Sequence, residues 1–222
     1  MVPALWRLLQ TTDSLFPTGA FAHSGGLEGL TAEGLLRTAD DAERAIEEIL
    51  LHSFAKVDLP ACGLAHRAAL AGEVEALAEL DARLDALKAP REAREASRSL
   101  GRRRLRVVDS IAAYRRRVEE DQTAGHQAVV TGMHGALEGA GRDETMLAFA
   151  YGAAAGLVSS GMKLLPLGQT RAQALLVRLG PAMAEAAKAA DGLGLEDLGG
   201  FLPLLDIAAM SHEVAKTRLF IS

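Results

Sequence analysis

The stretch TMLAFAYGAAAGLVSSGM, residues 145–162, runs for 18 residues without a charged side chain. This length reaches the lower limit for a helix that crosses a bilayer. Its composition favours another interpretation, because much of it is Ala, Gly and Ser, and because Gly152 and Gly156 would let a neighbouring helix approach closely. Lys163 and Pro166 end the apolar run. We therefore predict a buried helix inside a helical core, and no membrane partner.

The rest of the chain has the composition of a helical protein. Its 222 residues include 42 alanines and 35 leucines, but only 5 isoleucines and 11 valines. Alanine and leucine favour helices, whereas the β-branched residues that favour strands are scarce. We predict a single all-α domain over residues 1–222, with about eight to ten helices. The predicted helical stretches are 3–11, 20–30, 40–55, 58–71, 73–88, 91–120, 122–140, 143–165, 169–190 and a last helix that runs from 203 almost to the C-terminus.

Charge and cysteine content exclude several classes of protein. The net charge of −5 argues against a generally basic nucleic-acid binder. Cys62 is the one cysteine, so neither an intramolecular disulfide nor a thiolate metal cluster can form. No basic and then apolar leader is visible at the N-terminus, and we therefore expect a cytoplasmic protein.

The usual signatures of enzymes and metal sites are missing from the sequence. There is no phosphate-binding Gly-x-x-x-x-Gly-Lys-Ser/Thr loop, no Gly-x-Gly-x-x-Gly and no Gly-x-Ser-x-Gly. The six histidines do not have the spacing of a helical zinc site, and Cys62 has no partner that would mark it as a nucleophile. We therefore predict no catalytic residue, no metal ligand and no cofactor. An enzyme with an unfamiliar site, acting on nucleotides, stays an alternative.

An arginine-rich segment is the strongest local charge feature. Residues 91–117 contain ten arginines against Glu92, Glu95 and Asp109. Such a segment could neutralise phosphates, which makes a helical regulator that binds nucleic acid the main alternative function. We favour a solvated face or a docking surface for an acidic protein, because the whole chain is acidic and no aromatic residue precedes Tyr114 in the segment.

Three sequence blocks carry a family resemblance. They are LFPTGAFAHSGGLE at 15–28, MKLLPLGQT at 162–170 and SHEVAKTRLFIS at 211–222. His212 of the third block follows Leu205 and Ala208 at helical spacing, which places the histidine on the apolar stripe of the predicted last helix. In this order and helical setting, the blocks resemble the F-type urease accessory proteins (UreF) from Leu8 to Ser222.

The resemblance implies an all-α homodimer without enzymatic activity. It implies a protein that binds the D-type accessory protein (H-type in some organisms), recruits the G-type GTPase and docks on apo-urease for nickel insertion. Carried over by position, the residues of the GTPase-facing surface or its support would be Lys163, Pro166, Gly168 and Gln169. The residues of the C-terminal segment that docks on the D-type partner would be His212, Glu213, Arg218, Leu219 and Phe220, with His23, Ser24 and Glu28 beside them. Two positions differ from the family pattern: His23 stands where an aromatic hydroxyl is common, and Ile221 where Arg is frequent.

Overall fold

Helices form wherever the sequence offers apolar residues at helical spacing between Gly and Pro. The structure is a computed structural model, and it describes residues 4–222. Within that range, every regular element is helical. The twelve α-helices are α1 (Ala4–Thr12), α2 (Leu27–Ala32), α3 (Ala39–Glu48), α4 (Asp58–Ala71), α5 (Val74–Leu87), α6 (Arg91–Leu105), α7 (Ala112–Glu119), α8 (Gln127–Leu137), α9 (Arg142–Leu164), α10 (Gln169–Arg178), α11 (Gly180–Ala190) and α12 (Pro203–His212).

Helix α9 lies at the centre of the domain. It is long and apolar enough to cross a membrane, but it packs against α1, α2, α3, α4, α8, α10 and α11. Its buried face includes Met146, Phe149 and Ala154. The predicted buried helix is therefore confirmed for this face, which supplies part of one continuous apolar core.

The opposite face of α9 is open. A side chain added at Gly156 would meet no atom within 4 Å, and one added at Gly152 would meet only Thr12 at 3.9 Å. The close helix packing expected at these glycines occurs instead on α8. There, a Cβ atom at Gly132 would lie 2.1 Å from the Cys62 carbonyl oxygen of α4. Because only glycine permits this approach, α4 and α8 form the tightest helix pair of the core.

A buried carboxylate organises the chain between α5 and α8. Asp81 of α5 is fully buried and accepts a hydrogen bond from the Tyr114 hydroxyl at 2.6 Å. It also accepts bonds from the Gly125 and His126 backbone N–H groups, at 3.0 and 2.7 Å, and from the Thr123 hydroxyl at 3.0 Å. A buried polar group is tolerated when it is hydrogen-bonded. Asp81 therefore fixes α7 and the start of α8 against α5.

Four of the predicted helices differ from the structure. The stretch 20–30 is broken after a short 3-10 turn, because Gly25 and Gly26 adopt left-handed φ angles of 62° and 91°. The stretch 91–120 is divided at 106–111. There the Arg115 guanidinium donates to the Val108 carbonyl and the Ser110 hydroxyl, which holds the chain in a turn.

The other two differences lie in the C-terminal third. Pro181 cannot donate the hydrogen bond that would continue a helix, and 169–190 is divided into α10 and α11 just before it. The last helix ends at His212, so residues 213–222 are an irregular tail. The predicted all-α fold class is confirmed. Within residues 4–222 the α-helices number twelve instead of eight to ten, because two predicted helices are each divided in two.

Candidate functional site

The N-terminal block and the C-terminal tail pair with each other. The Ile221 backbone N–H donates to the Ala22 carbonyl at 2.9 Å, and the Ser24 N–H donates to the Ser222 carbonyl at 2.5 Å. The left-handed pair Gly25–Gly26 turns the chain from this extended segment into α2. Blocks that stand about two hundred residues apart in the sequence are thereby neighbours in space.

Glu28 of α2 is the anchor for the tail. One carboxylate oxygen accepts the Leu219 N–H at 2.7 Å, and the other accepts the Phe220 N–H at 2.9 Å and His212 Nε2 at 2.9 Å. Burial favours a raised pKa for Glu28, but these hydrogen bonds outweigh it and leave the pKa below its ordinary value. Glu28 therefore holds the tail as an ionised carboxylate.

His212 lies between two carboxylates at the end of α12. Its Nε2 faces Glu28, and its Nδ1 lies 2.7 Å from an oxygen of Glu92 in the first turn of α6. An ionised carboxylate can only accept, so an imidazolium that donates from both nitrogens satisfies both contacts. The second oxygen of Glu92 accepts from Arg218 at 2.7 Å. We call the group Glu28, Glu92, His212 and Arg218 the clasp; in it, two basic side chains face two acidic side chains.

Lys163 connects the middle block to the same place. Its ammonium group donates to the Phe21 carbonyl at 3.0 Å and lies 4.9 Å from the centre of the Phe220 ring. Phe220 is buried, whereas Lys163 and Phe21 are exposed. A cation above an aromatic face is attracted by the ring electrons. The end of α9 thus touches both the N-terminal block and the tail.

The remaining predicted residues of the middle block lie on the adjoining surface. Pro166, Gly168 and Gln169 are all exposed in the turn between α9 and the start of α10. Among the described residues, they make no hydrogen bond to the tail. The structure therefore brings Lys163 into contact with the tail but places the other three beside it.

His23 and Ser24 both hold the last residue of the tail. The Nδ1 atom of His23 lies 2.6 Å from the Ser222 hydroxyl, and its carbonyl accepts the Ser160 hydroxyl of α9 at 3.1 Å. Burial, with a smaller effect of Arg103, lowers the pKa of His23. A neutral imidazole at this position is thus used for a hydrogen bond to the tail.

Glu213 and the start of α6 add a second connection beside the clasp. The Arg91 backbone N–H donates to the Glu213 carboxylate at 3.0 Å. This N–H belongs to the first turn of α6, where backbone donors have no helical partner. Sequence reasoning missed the site role of Glu92 and Arg91. The one signal in the sequence was His212 on the apolar stripe of the last helix. A histidine in such a position requires a polar partner from another segment.

The arginine-rich segment is used mostly within the chain. Most of its ten guanidinium groups have a described partner, such as Asp85 for Arg98, Asp121 for Arg102 and the Thr18 carbonyl for Arg103. Those of Arg91, Arg94, Arg104, Arg115 and Arg117 are also engaged. These arginines therefore hold neighbouring segments together, and the free cationic surface is smaller than the sequence suggests.

No described residues are arranged as a metal centre. Residues 4–222 contain no group of three or more His, Cys, Asp or Glu side chains placed to hold one ion. Both ring nitrogens of His212 are occupied by separate carboxylates. Burial raises the pKa of Cys62 to about 12, so its thiol stays protonated at neutral pH.

Fold and site together define a class: an all-α protein whose candidate site is a polar clasp between distant chain segments. The sequence profile of the UreF family matches residues 36–180. The chain is 33% identical to the urease accessory protein UreF of Haemophilus influenzae, over 98% of this chain and 95% of that protein. It is 31% identical to the UreF of Bacillus sp. (strain TB-90) and 32% identical to that of Actinobacillus pleuropneumoniae, over 98% of this chain and 99% of each relative. The chain belongs to the UreF family of urease accessory proteins, which are maturation factors.

Proposed function

We propose that this protein is a cytoplasmic, non-enzymatic scaffold for nickel insertion into apo-urease. In this proposal it forms a homodimer, binds the D/H-type accessory protein through the tail side, and recruits the G-type GTPase beside Lys163. The observation that carries the proposal is the meeting of the three sequence blocks: the clasp joins the first and the third, and Lys163 of the middle block contacts Phe21 and Phe220. In this proposal nickel is the cargo of the assembly; residues 4–222 contain no group of three or more His, Cys, Asp or Glu side chains placed to hold one ion.

The surface around the tail suits a protein partner. Leu219 and Ile221 are each 63% exposed on either side of the buried Phe220. The outer face of α12 adds Leu204, Ile207 and Met210, which are also exposed at helical spacing. Exposed apolar side chains grouped in this way are typical of protein interfaces. We assign this surface, α12 with the tail, to the D/H-type partner.

The surface beside Lys163 suits a second partner. Lys163 presents a positive charge next to the exposed turn that contains Pro166, Gly168 and Gln169. Because the same lysine contacts Phe220 of the tail, this surface is complete only when the tail is docked. We therefore assign it to the GTPase and expect recruitment to depend on prior ordering of the tail.

Copurification tests these assignments. With tagged D-type and G-type partners, Lys163→Ala is expected to reduce capture of the GTPase more than fivefold while D-type binding persists. Deletion of residues 212–222 is expected to abolish binding of the D-type partner. Lys188→Ala, which changes an exposed lysine on α11, is the matched control and should change neither.

Two outcomes would contradict the proposal. Unchanged GTPase capture by Lys163→Ala would remove the assignment of the middle block. Full D-type binding after the deletion would remove that of the tail. Sedimentation equilibrium tests the homodimer separately, and a monomer at micromolar concentration would count against it.

A further inference from the structure

Arg104 of α6 is a buried cation without an acidic partner. It is only 6% exposed, and within residues 4–222 its guanidinium forms no ion pair. Residues 1–3 are Met, Val and Pro, so they add no acidic side chain. Its described contacts are a hydrogen bond from Nη2 to the Thr11 carbonyl at 3.1 Å and the Phe16 ring at 5.1 Å. The Nε–H group is buried and has no hydrogen-bond partner among residues 4–222.

Such an arrangement is costly for the folded protein. A buried charge without a counter-charge destabilises the folded protein. Burial lowers the pKa of Arg104 to about 10, which leaves the group positively charged at neutral pH. Arg104 lines an elongated cavity of about 1380 Å³, so its charge faces a space that a ligand can enter.

A second unpartnered polar group lines the same cavity. The hydroxyl of Thr131 on α8 is buried and has no hydrogen-bond partner in the part of the chain that the structure describes. His134 lies one turn further along α8, and burial, reinforced by Arg104, lowers its pKa to about 4. The imidazole is thus neutral at pH 7 and does not balance or add to the buried positive charge of Arg104.

We propose that Arg104 and Thr131 form a binding site for a small carboxylate-type monoanion, such as formate or bicarbonate. The flat fork of a guanidinium matches the two oxygens of such an anion, and the Thr131 hydroxyl provides a further donor. A single negative charge balances the single buried cation. The cavity wall includes the apolar Leu8, Phe16 and Leu100, which disfavours an anion of higher charge, such as phosphate.

Calorimetric titration of the full chain with sodium formate at pH 7.5 tests the site. We expect saturable binding of one formate per chain. Arg104→Met, which keeps an unbranched apolar stem but removes the charged guanidinium, should weaken binding at least tenfold. Arg106→Met, at an exposed arginine of the same segment, should leave the affinity unchanged.

Absence of saturable binding to the wild-type chain, or equal affinity in Arg104→Met, would overturn the proposal, since water alone would then satisfy the guanidinium. Circular dichroism checks that each variant folds. If Arg104→Met does not fold, Thr131→Val decides, because it keeps the shape of the side chain and removes only the hydroxyl. We expect it to weaken formate binding at least threefold, and an unchanged affinity would refute the site. The inference is independent of the scaffold proposal.

Discussion

Replacement of Glu28 by Gln is expected to release the tail while the helices stay folded. The carboxylate accepts three hydrogen bonds, two from the Leu219 and Phe220 N–H groups and one from His212. In Glu28→Gln the amide oxygen can keep two of them, but each becomes weaker by about 1 kcal/mol because the acceptor is neutral. The amide nitrogen then faces an N–H donor, and that bond, worth roughly 1.5 kcal/mol or more, is lost.

The loss therefore totals about 3 to 4 kcal/mol for the docked tail. Since 1.4 kcal/mol corresponds to a factor of ten, the open state should become more populated by at least about 100-fold. Hydrogen exchange measured by NMR reports this opening directly at the Leu219 and Phe220 amides. Their protection should fall by the same factor, whereas the amides in the middle of α4 should exchange as before.

Glu33→Gln is the matched control, since Glu33 is an exposed glutamate directly after α2. It should leave the protection of both tail amides unchanged. The reasoning would be refuted if Glu28→Gln altered that protection by less than threefold in a folded protein. In that case the backbone pairing with the N-terminal block, and not the carboxylate, would hold the tail.

Three further predictions concern stability. Asp81→Asn should lower the free energy of unfolding by about 3 kcal/mol in urea titrations, since four donors converge on this buried carboxylate; a loss below 1 kcal/mol would contradict that role. Gly132→Ala should lower the melting temperature by several degrees, because the added Cβ atom would collide with α4. Gly156→Ala is the control: its Cβ atom meets open space, so it should be neutral or stabilising. Equal melting temperatures of the two variants would disprove the close approach of α4 and α8. Burial lowers the pKa of His134 to about 4 in the folded protein. As the pH falls below about 6.5, the unfolded chain therefore takes up this proton before the folded chain does, and the folded state becomes less stable. Between pH 7 and 5, this histidine should lower the free energy of unfolding by about 2 kcal/mol. His134→Gln should flatten that decline in urea titrations, and an unchanged slope would argue against a neutral, buried imidazole.

Helix content and the central helix could be predicted from the sequence, because both depend on local composition and periodicity. The positions where predicted helices break were harder to place. These breaks depend on single backbone groups: the left-handed φ angles of Gly25 and Gly26, and the missing N–H donor of Pro181. The spacing of apolar residues, which extends over several turns of a helix, does not reveal them. The end of the last helix was also hard to place. The apolar stripe continues in the sequence at Ala215 and Leu219, although the helix ends at His212.

The candidate site could be predicted from the sequence only in part. Glu28, His212 and Arg218 followed from the resemblance, but nothing local marks Glu92 as their partner, since it lies 120 residues from His212. Such a contact depends on how α6 and α12 pack, and that is a property of the whole fold. The unpartnered Arg104 was similarly hidden among ten arginines, because the sequence does not reveal which guanidinium is buried.

The separation of the paired segments has a consequence for the order of folding. The Leu219 amide and the Glu28 carboxylate are 191 residues apart, and a chain leaves the ribosome from its N-terminus at roughly 5 to 20 residues per second. Residues 15–28 therefore cannot pair with the tail until nearly the whole domain has been synthesised. Closure of the clasp is a late event, and a chain that stops short of residue 212 lacks it. A partner that binds only the docked tail would thereby distinguish chains that contain residues 212–222 from shorter ones.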